Sequence, residues 1–148
     1  MTILEALDLV KKNLSNEIFE HSVQVAIYAE SICNSIDYDK DTEDVSVVAI
    51  LHDILEDALN DDTKIMIRPI LDSELSTVQY QALNLLTRAK DEPYVDYIKR
   101  IKILSLSTEF GEIAYIVKMA DMKDHLTRIE TLTDELKEKY IKGLSLLI

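Results

Sequence analysis

Val47-Val48-Ala49-Ile50-Leu51-His52-Asp53-Ile54-Leu55-Glu56-Asp57-Ala58 is an apolar run with a His-Asp pair set into it and a second acidic pair one helical turn later. A helix that had only to be buried would exclude these four residues, because buried charge is costly unless it is paired or bound to a metal. At 3.6 residues per turn, a continuous helix places His52 above Glu56 and Asp53 above Asp57. Neutral imidazole and carboxylate suit divalent first-row cations, and a neighbouring carboxylate pair suits proton movement. The stretch therefore reads as half of a metal site. It reads equally as a helix end with a solvated acidic tail and one hydrogen-bonded core histidine, and by itself it does not choose between them.

Around this stretch, the 148 residues suit a single domain, 1–148, large enough for a substantial core. Apolar residues make up 47% of the chain with only two Gly and two Pro, a composition that favours an all-α fold of about seven to eight helices and leaves few places for tight hairpins. No apolar run approaches the ~20 residues needed to span a bilayer. Met1-Thr2-Ile3-Leu4-Glu5 has an acid where a secretory leader needs a basic region, and a lone cysteine, Cys33, fits a reducing compartment; both predict a cytoplasmic protein. Cys33 lies among Ala29, Ile32 and Ile36 and reads as a buried small hydrophobe. The net charge of -12 argues against nucleic acid and anionic membranes as partners. An anionic substrate would need bound cations and a local basic patch to invert that field. Nothing in the sequence sets the oligomeric state.

Leu4 to Leu14 has apolar residues at 4, 7, 10 and 14, a helical spacing, and Lys11-Lys12 suit the negative end of its dipole. Ser15 caps a helix over roughly 15–34 whose stripe of Ile18, Val25, Ala29 and Ile32 also carries His21. Such a histidine is commonly a hydrogen-bonded core residue. Asp41-Thr42-Glu43-Asp44 then supplies the cap and first-turn acids of a third helix over roughly 42–59. Asn60-Asp61-Asp62 breaks that helix and begins a loop, and a short helix over 63–71 is interrupted at Arg68-Pro69. Asp72-Ser73 caps the next, which runs to about Thr87 with Val78, Ala82 and Leu85 inward. The charged linker Arg88-Ala89-Lys90-Asp91-Glu92-Pro93 leads into a helix over roughly 93–107 with Tyr94, Tyr97, Ile98, Ile101 and Leu104 on one face. Phe110-Gly111 separates it from a long helix over about 112–129, and 134–147 is amphipathic again.

Ile116-Val117-Lys118-Met119-Ala120-Asp121-Met122-Lys123-Asp124-His125 repeats the oddity of the first stretch. Asp121 stands where an apolar residue would continue the run, and His125 follows one turn later on the same face. Alone, this pattern also fits a partly exposed helix end. Together, His21, His52-Asp53 and Asp121 interrupt apolar faces on three different helices, and a bundle can bring such groups to one point.

The pattern His…His-Asp…Asp resembles that of the HD-domain phosphohydrolase superfamily. The closer resemblance is to the hydrolase domain of RelA/SpoT-type alarmone enzymes and their small stand-alone relatives. It is carried by Leu51-His52-Asp53-Ile54-Leu55-Glu56-Asp57, by Leu86-Thr87-Arg88 through Tyr94-Val95-Asp96-Tyr97-Ile98, and by Val117-Lys118-Met119-Ala120-Asp121. The resemblance implies that His21, His52, Asp53 and Asp121 bind one divalent cation, typically Mn2+, while Glu56 and Asp57 activate or orient the attacking water. It implies removal of pyrophosphate from the 3′ position of guanosine bis-pyrophosphate (ppGpp), a guanosine polyphosphate. Substrate contacts would come from Lys12, near where the family places a basic residue beside the guanine, and from Arg88, Lys90 and Lys118. Tyr94 and Tyr97 either line the nucleotide pocket or pack in the core. Two features depart from the family. His125 stands where an Asn is usual, though it too can donate to a ribose or phosphate. The lead into the first histidine is Asn16-Glu17-Ile18-Phe19-Glu20 rather than the family's Gly-x-Pro-Tyr-x-x-His-Pro pattern.

The leading expectation is thus an all-α metal-dependent phosphohydrolase acting on ppGpp. Two alternatives remain open: the same site acting on another nucleotide or phosphorylated metabolite, and a non-catalytic helical module that binds a nucleotide or a protein.

Overall fold

Short polar side chains set most of the helix starts. Thr2 with Glu5 and Ser76 with Gln79 form capping boxes, while Ser15, Asp41, Asn60, Thr108 and Thr133 each accept a first-turn N–H. The computed structural model describes residues 1–58 and 60–148, and among these every regular element is helical. The α-helices are α1 (Ile3–Asn13), α2 (Asn16–Ser35), α3 (Thr42–Leu51), α4 (Ile54–Asp57), α5 (Asp61–Glu74), α6 (Thr77–Leu86), α7 (Tyr94–Ser105), α8 (Glu109–Thr127) and α9 (Asp134–Leu147). A 3₁₀ turn at Ile129–Thr131 joins the last two. All but α4 are ten residues or longer, the all-α bundle that the composition predicts. No helix among the described residues is long and apolar enough to cross a membrane.

Helix α3 is apolar around its circumference, and such a helix belongs in an interior. Its Val45, Val48 and Ala49 join one core with Val25, Ala29, Ile98, Ile101 and Val117, whereas Val47, Ile50 and Leu51 join a second with Val10, Ile67 and Leu71. Helices α2, α3 and α8 pack pairwise, and α9 lies against α7 and α8. That central trio is what carries His21, His52 and Asp121 towards one another.

Four local expectations change. The single helix over 42–59 is two, α3 and α4, broken at His52-Asp53; residue 59 lies outside the described residues. The Ala49 carbonyl, which a continuing helix would offer to the Asp53 N–H, takes the ring Nδ1 of His52 at 2.7 Å. Helix α5 begins at Asp61 under an Asn60 cap, where a loop was expected, and passes straight through Pro69 to Glu74. Pro69 and the Ile65 carbonyl it leaves unpaired are on the exposed side, where water can serve, while buried Ile67 and Leu71 pin the helix on either side. In α1 Val10 is buried as expected, as is Leu14 at the C-cap, but Leu4 is exposed, Leu7 is half-buried and Ala6 takes the inner place in the first turns.

Gly111 lies inside α8 rather than before it, because Thr108 caps the helix by accepting the Gly111 N–H at 3.0 Å. A Cβ at residue 111 would sit 2.2 Å from the Leu104 carbonyl oxygen, which the Thr108 N–H (3.0 Å) and hydroxyl (2.8 Å) already hold in place. This glycine is there for close helix approach. Gly111→Ala is expected to cost about 1–3 kcal/mol, the usual range for overpacking, seen as a lower urea midpoint. An unchanged midpoint would show that α8 shifts off α7 freely.

A candidate metal centre and its cavity

The break after α3 determines what His52 can do. Its ring Nδ1 donates to the Ala49 carbonyl at 2.7 Å, which leaves the lone pair on Nε2. That Nε2 is buried without a hydrogen-bond partner, yet it faces Asp53 Oδ2 at 3.1 Å and Asp121 Oδ1 at 3.3 Å. A lone pair against two carboxylate oxygens is repulsive unless a proton or a metal cation stands between them. His21, from α2, brings its Nε2 to 2.9 Å from Asp121 Oδ1 and 3.5 Å from Asp53 Oδ2. Its Nδ1 donates to Asp124 Oδ2 at 2.5 Å, the carboxylate support that metal-ligating histidines usually have. Arg128 Nε holds the same Asp124 oxygen at 2.6 Å.

Asp121 is gripped from its other oxygen by Lys118, Nζ to Oδ2 at 2.7 Å, on a lysine side chain only 12% exposed. Its Oδ1 also meets His125 Nε2 at 3.1 Å. The donor atoms of His21, His52 and Asp53 lie within 4.8 Å of one another, as do those of His21, Asp121 and His125. The four residues expected to bind metal therefore converge from α2, the α3–α4 break and α8. Donor chemistry, spacing and the unpartnered Nε2 all fit a divalent cation.

Burial alone would push the His52 pKa down, but the Asp53 and Asp121 carboxylates outweigh it and hold the ring well above its ordinary 6.5. His21 is raised by the same balance, burial being opposed by its bond to Asp121. Burial likewise opposes the charged form of Asp121, yet Lys118 and the three imidazoles keep its pKa well below 3.8. Imidazoles with raised pKa contribute stability that is complete below 6.5 and lost as pH rises through their folded values. Metal-free protein in chelator should accordingly melt at a lower temperature as pH rises from about 6 to about 9. A saturating divalent cation should remove that decline, since it needs the neutral rings. A metal-free melting temperature that stays flat or climbs over this range would contradict the arrangement.

Over the cluster opens a cavity of about 220 Å³ walled by His52, Asp53, Glu56, Asp57, Arg88, Tyr94, Lys118, His125, Lys139 and Tyr140, among others. Glu56 is tied in place by the Arg88 backbone N–H, 2.8 Å from its Oε1. Partial burial and then the Asp53 charge push the Asp57 pKa above its ordinary value; Glu56 is raised too, burial outweighing the Arg88 bond that lowers it. The Tyr94 ring lies between two cations, with Lys139 Nζ 4.6 Å and Arg88 Cζ 5.7 Å from its centroid. Lys139 has no carboxylate within salt-bridge distance among the described residues, and burial followed by the Arg88 and Lys118 charges lowers its pKa. Tyr97 is buried with its hydroxyl donating to the Leu86 carbonyl at 2.6 Å, so it is a core residue whose edge reaches the cavity. A second cavity, of about 360 Å³, also borders the cluster; His21, Asp53, Asp57 and His125 line it together with Glu17, Glu20, Arg128 and Glu130.

The sequence model of one family, the HD domain, matches residues 18–124, well over half of the chain. This chain belongs to the HD domain family. No curated protein sequence matches it. Membership brings metal-dependent phosphohydrolase chemistry and a small phosphate-bearing substrate.

Several residues of this HD domain site lie outside the sequence expectations. Asp124 supports His21 from α8; it follows Asp121 by three residues and so shares its helical face, the one signal for it in the sequence. Lys139 and Tyr140 lie beyond the matched segment, and nothing in an amphipathic terminal helix signals that it folds back over the cluster. Two expected contacts are not brought to the cavity. Lys12 is exposed and paired with Asp8 at 2.7 Å within α1, a link its last-turn position already explains; Lys90 stands exposed in the linker before α7.

Proposed function

We propose that the chain is a ppGpp 3′-pyrophosphohydrolase, folded as one domain over 1–148, with His21, His52, Asp53 and Asp121 holding a divalent cation for which manganese is the family's usual choice. One observation carries the reading. A chain of net charge -12 gathers Arg88, Lys118 and Lys139 on the wall of a cavity whose floor is the imidazole–carboxylate cluster and whose mouth carries Glu56 and Asp57. These three cations nearly balance the four carboxylates lining the same cavity, Asp53, Glu56, Asp57 and Asp121, and a bound divalent cation would tip it to the positive potential that a highly anionic substrate needs.

When bound, the cation acidifies a water and draws charge from a phosphoryl oxygen. The rest falls to the chain. Water adds to the phosphorus at the 3′ position as Glu56, with Asp57 beside it, takes its proton; the bond from that phosphorus to the 3′ oxygen breaks, and the proton passes to that oxygen, which leaves as a hydroxyl. Arg88, Lys118 and Lys139 hold the departing pyrophosphate. The smaller cavity suits that end of the substrate. The guanine base then lies towards the larger one, where Glu17, Glu20 and Glu130 offer acceptors to ring N–H groups.

Pyrophosphate release from ppGpp with added manganese tests this, against a panel of ordinary nucleotides and phosphomonoesters. Turnover is expected to favour the guanosine 3′-pyrophosphates. If simple nucleotides are cleaved as well or better, the second reading holds, an HD hydrolase of another phosphorylated metabolite; His125 in place of the family's Asn is the observation that favours it. A protein that binds metal and ligand but cleaves nothing in the panel would support a binding module.

A further inference from the structure

The chain has three histidines, and all three reach one carboxylate oxygen. Asp121 Oδ1 lies 2.9 Å from His21 Nε2, 3.3 Å from His52 Nε2 and 3.1 Å from His125 Nε2. A carboxylate oxygen has two lone pairs, so it cannot accept from three ring N–H groups at once. His125 is also held for this geometry. Its ring stacks on Tyr140 at 4.6 Å with the planes only 4° apart, and the side chain is 32% exposed, at the boundary between both cavities.

We infer that His125 is a fifth protein donor to the cation, not a substrate contact in the place of the family's Asn. The inference rests on the metal reading above and deepens it. His21 has one nitrogen facing the cluster and the other committed to Asp124, so the groups His21–His52–Asp53 and His21–Asp121–His125 cannot each hold an ion through it. A single ion shared through His21 and the common Asp121 oxygen joins them into one centre of three imidazoles and two carboxylates, provided that His125 closes on the His52–Asp53 side, from which its nitrogen now stands apart. Two consequences follow for its chemistry. Five protein donors would leave the cation less room for water or substrate than four, which would put more of the phosphate recognition on Arg88, Lys118 and Lys139. Three nitrogen donors also move preference from manganese, which favours oxygen ligands, towards iron, nickel or zinc.

The test is the ¹⁵N NMR of histidine side chains in the zinc-loaded wild-type protein, where three rings give three resolvable sets of signals. All three Nε2 atoms are expected at the shift of a metal-bound nitrogen. His125→Asn should weaken zinc binding by on the order of tenfold or more, since even an outer partner of a metal ligand is worth that much, and should weaken manganese binding less. Metal-bound shifts at His21 and His52 with a free or protonated Nε2 at His125 would overturn the inference and leave the hydrolase reading standing. Protein that takes up no zinc and no manganese would overturn both. The wild-type spectrum decides even if His125→Asn folds poorly.

Discussion

Asp53→Ala is expected to abolish stoichiometric metal binding and to lower phosphohydrolase turnover by on the order of a thousandfold, about 4 kcal/mol of transition-state stabilisation, within the several kcal/mol a catalytic metal supplies. The fold should survive. Asp53 sits at the α3–α4 break, caps nothing with its side chain, and is not part of either hydrophobic core. Its carboxylate instead faces His52 Nε2 at 3.1 Å and His21 Nε2 at 3.5 Å, so its removal empties one side of the donor set and spares the packing. Elemental analysis after dialysis, circular dichroism and turnover on the preferred substrate give the three readings. Equal turnover in the variant and the wild type would sink the assignment of this cluster to catalysis.

Glu56→Gln separates proton transfer from everything else the cavity does. The amide oxygen of glutamine can still accept the Arg88 N–H, which the carboxylate takes at 2.8 Å, so the linker before α7 stays in place. Glu56 contributes no donor to the cluster, and the metal content should be unchanged. Loss of a general base typically costs 10²–10⁴-fold, so kcat should fall by about that much while KM barely moves. A variant that loses substrate affinity and keeps kcat would make Glu56 a binding residue. Glu56→Ala is the poorer experiment, since it also frees the Arg88 amide and mixes loop disorder into the rate.

Local spacing expresses some features of this molecule and not others. Helical character was legible from composition and capping residues, and so was the choice of His21, His52, Asp53 and Asp121, because a charged or imidazole group inside an apolar stripe stands out against the cost of burying it. Spacing misled wherever a side chain overrode the helical period. The His52 ring takes a backbone acceptor and breaks the helix, Pro69 is tolerated because its free carbonyl faces water, and Gly111 serves the approach of α8 to α7.

Residue order alone pointed to an all-helical chain of the HD family and to the candidate donors, since those depend on residue type and on neighbours within a turn or two. Which nitrogen His21 and His52 turn to the cluster, and the presence of Asp124, Lys139 and Tyr140 beside it, came from the packed helices. Asp124 reaches His21 across 103 positions, and Lys139 covers a cavity assembled mostly from other helices. Contacts at that separation are set by how apolar faces pack, and packing depends on the whole set of faces at once, which no local spacing records.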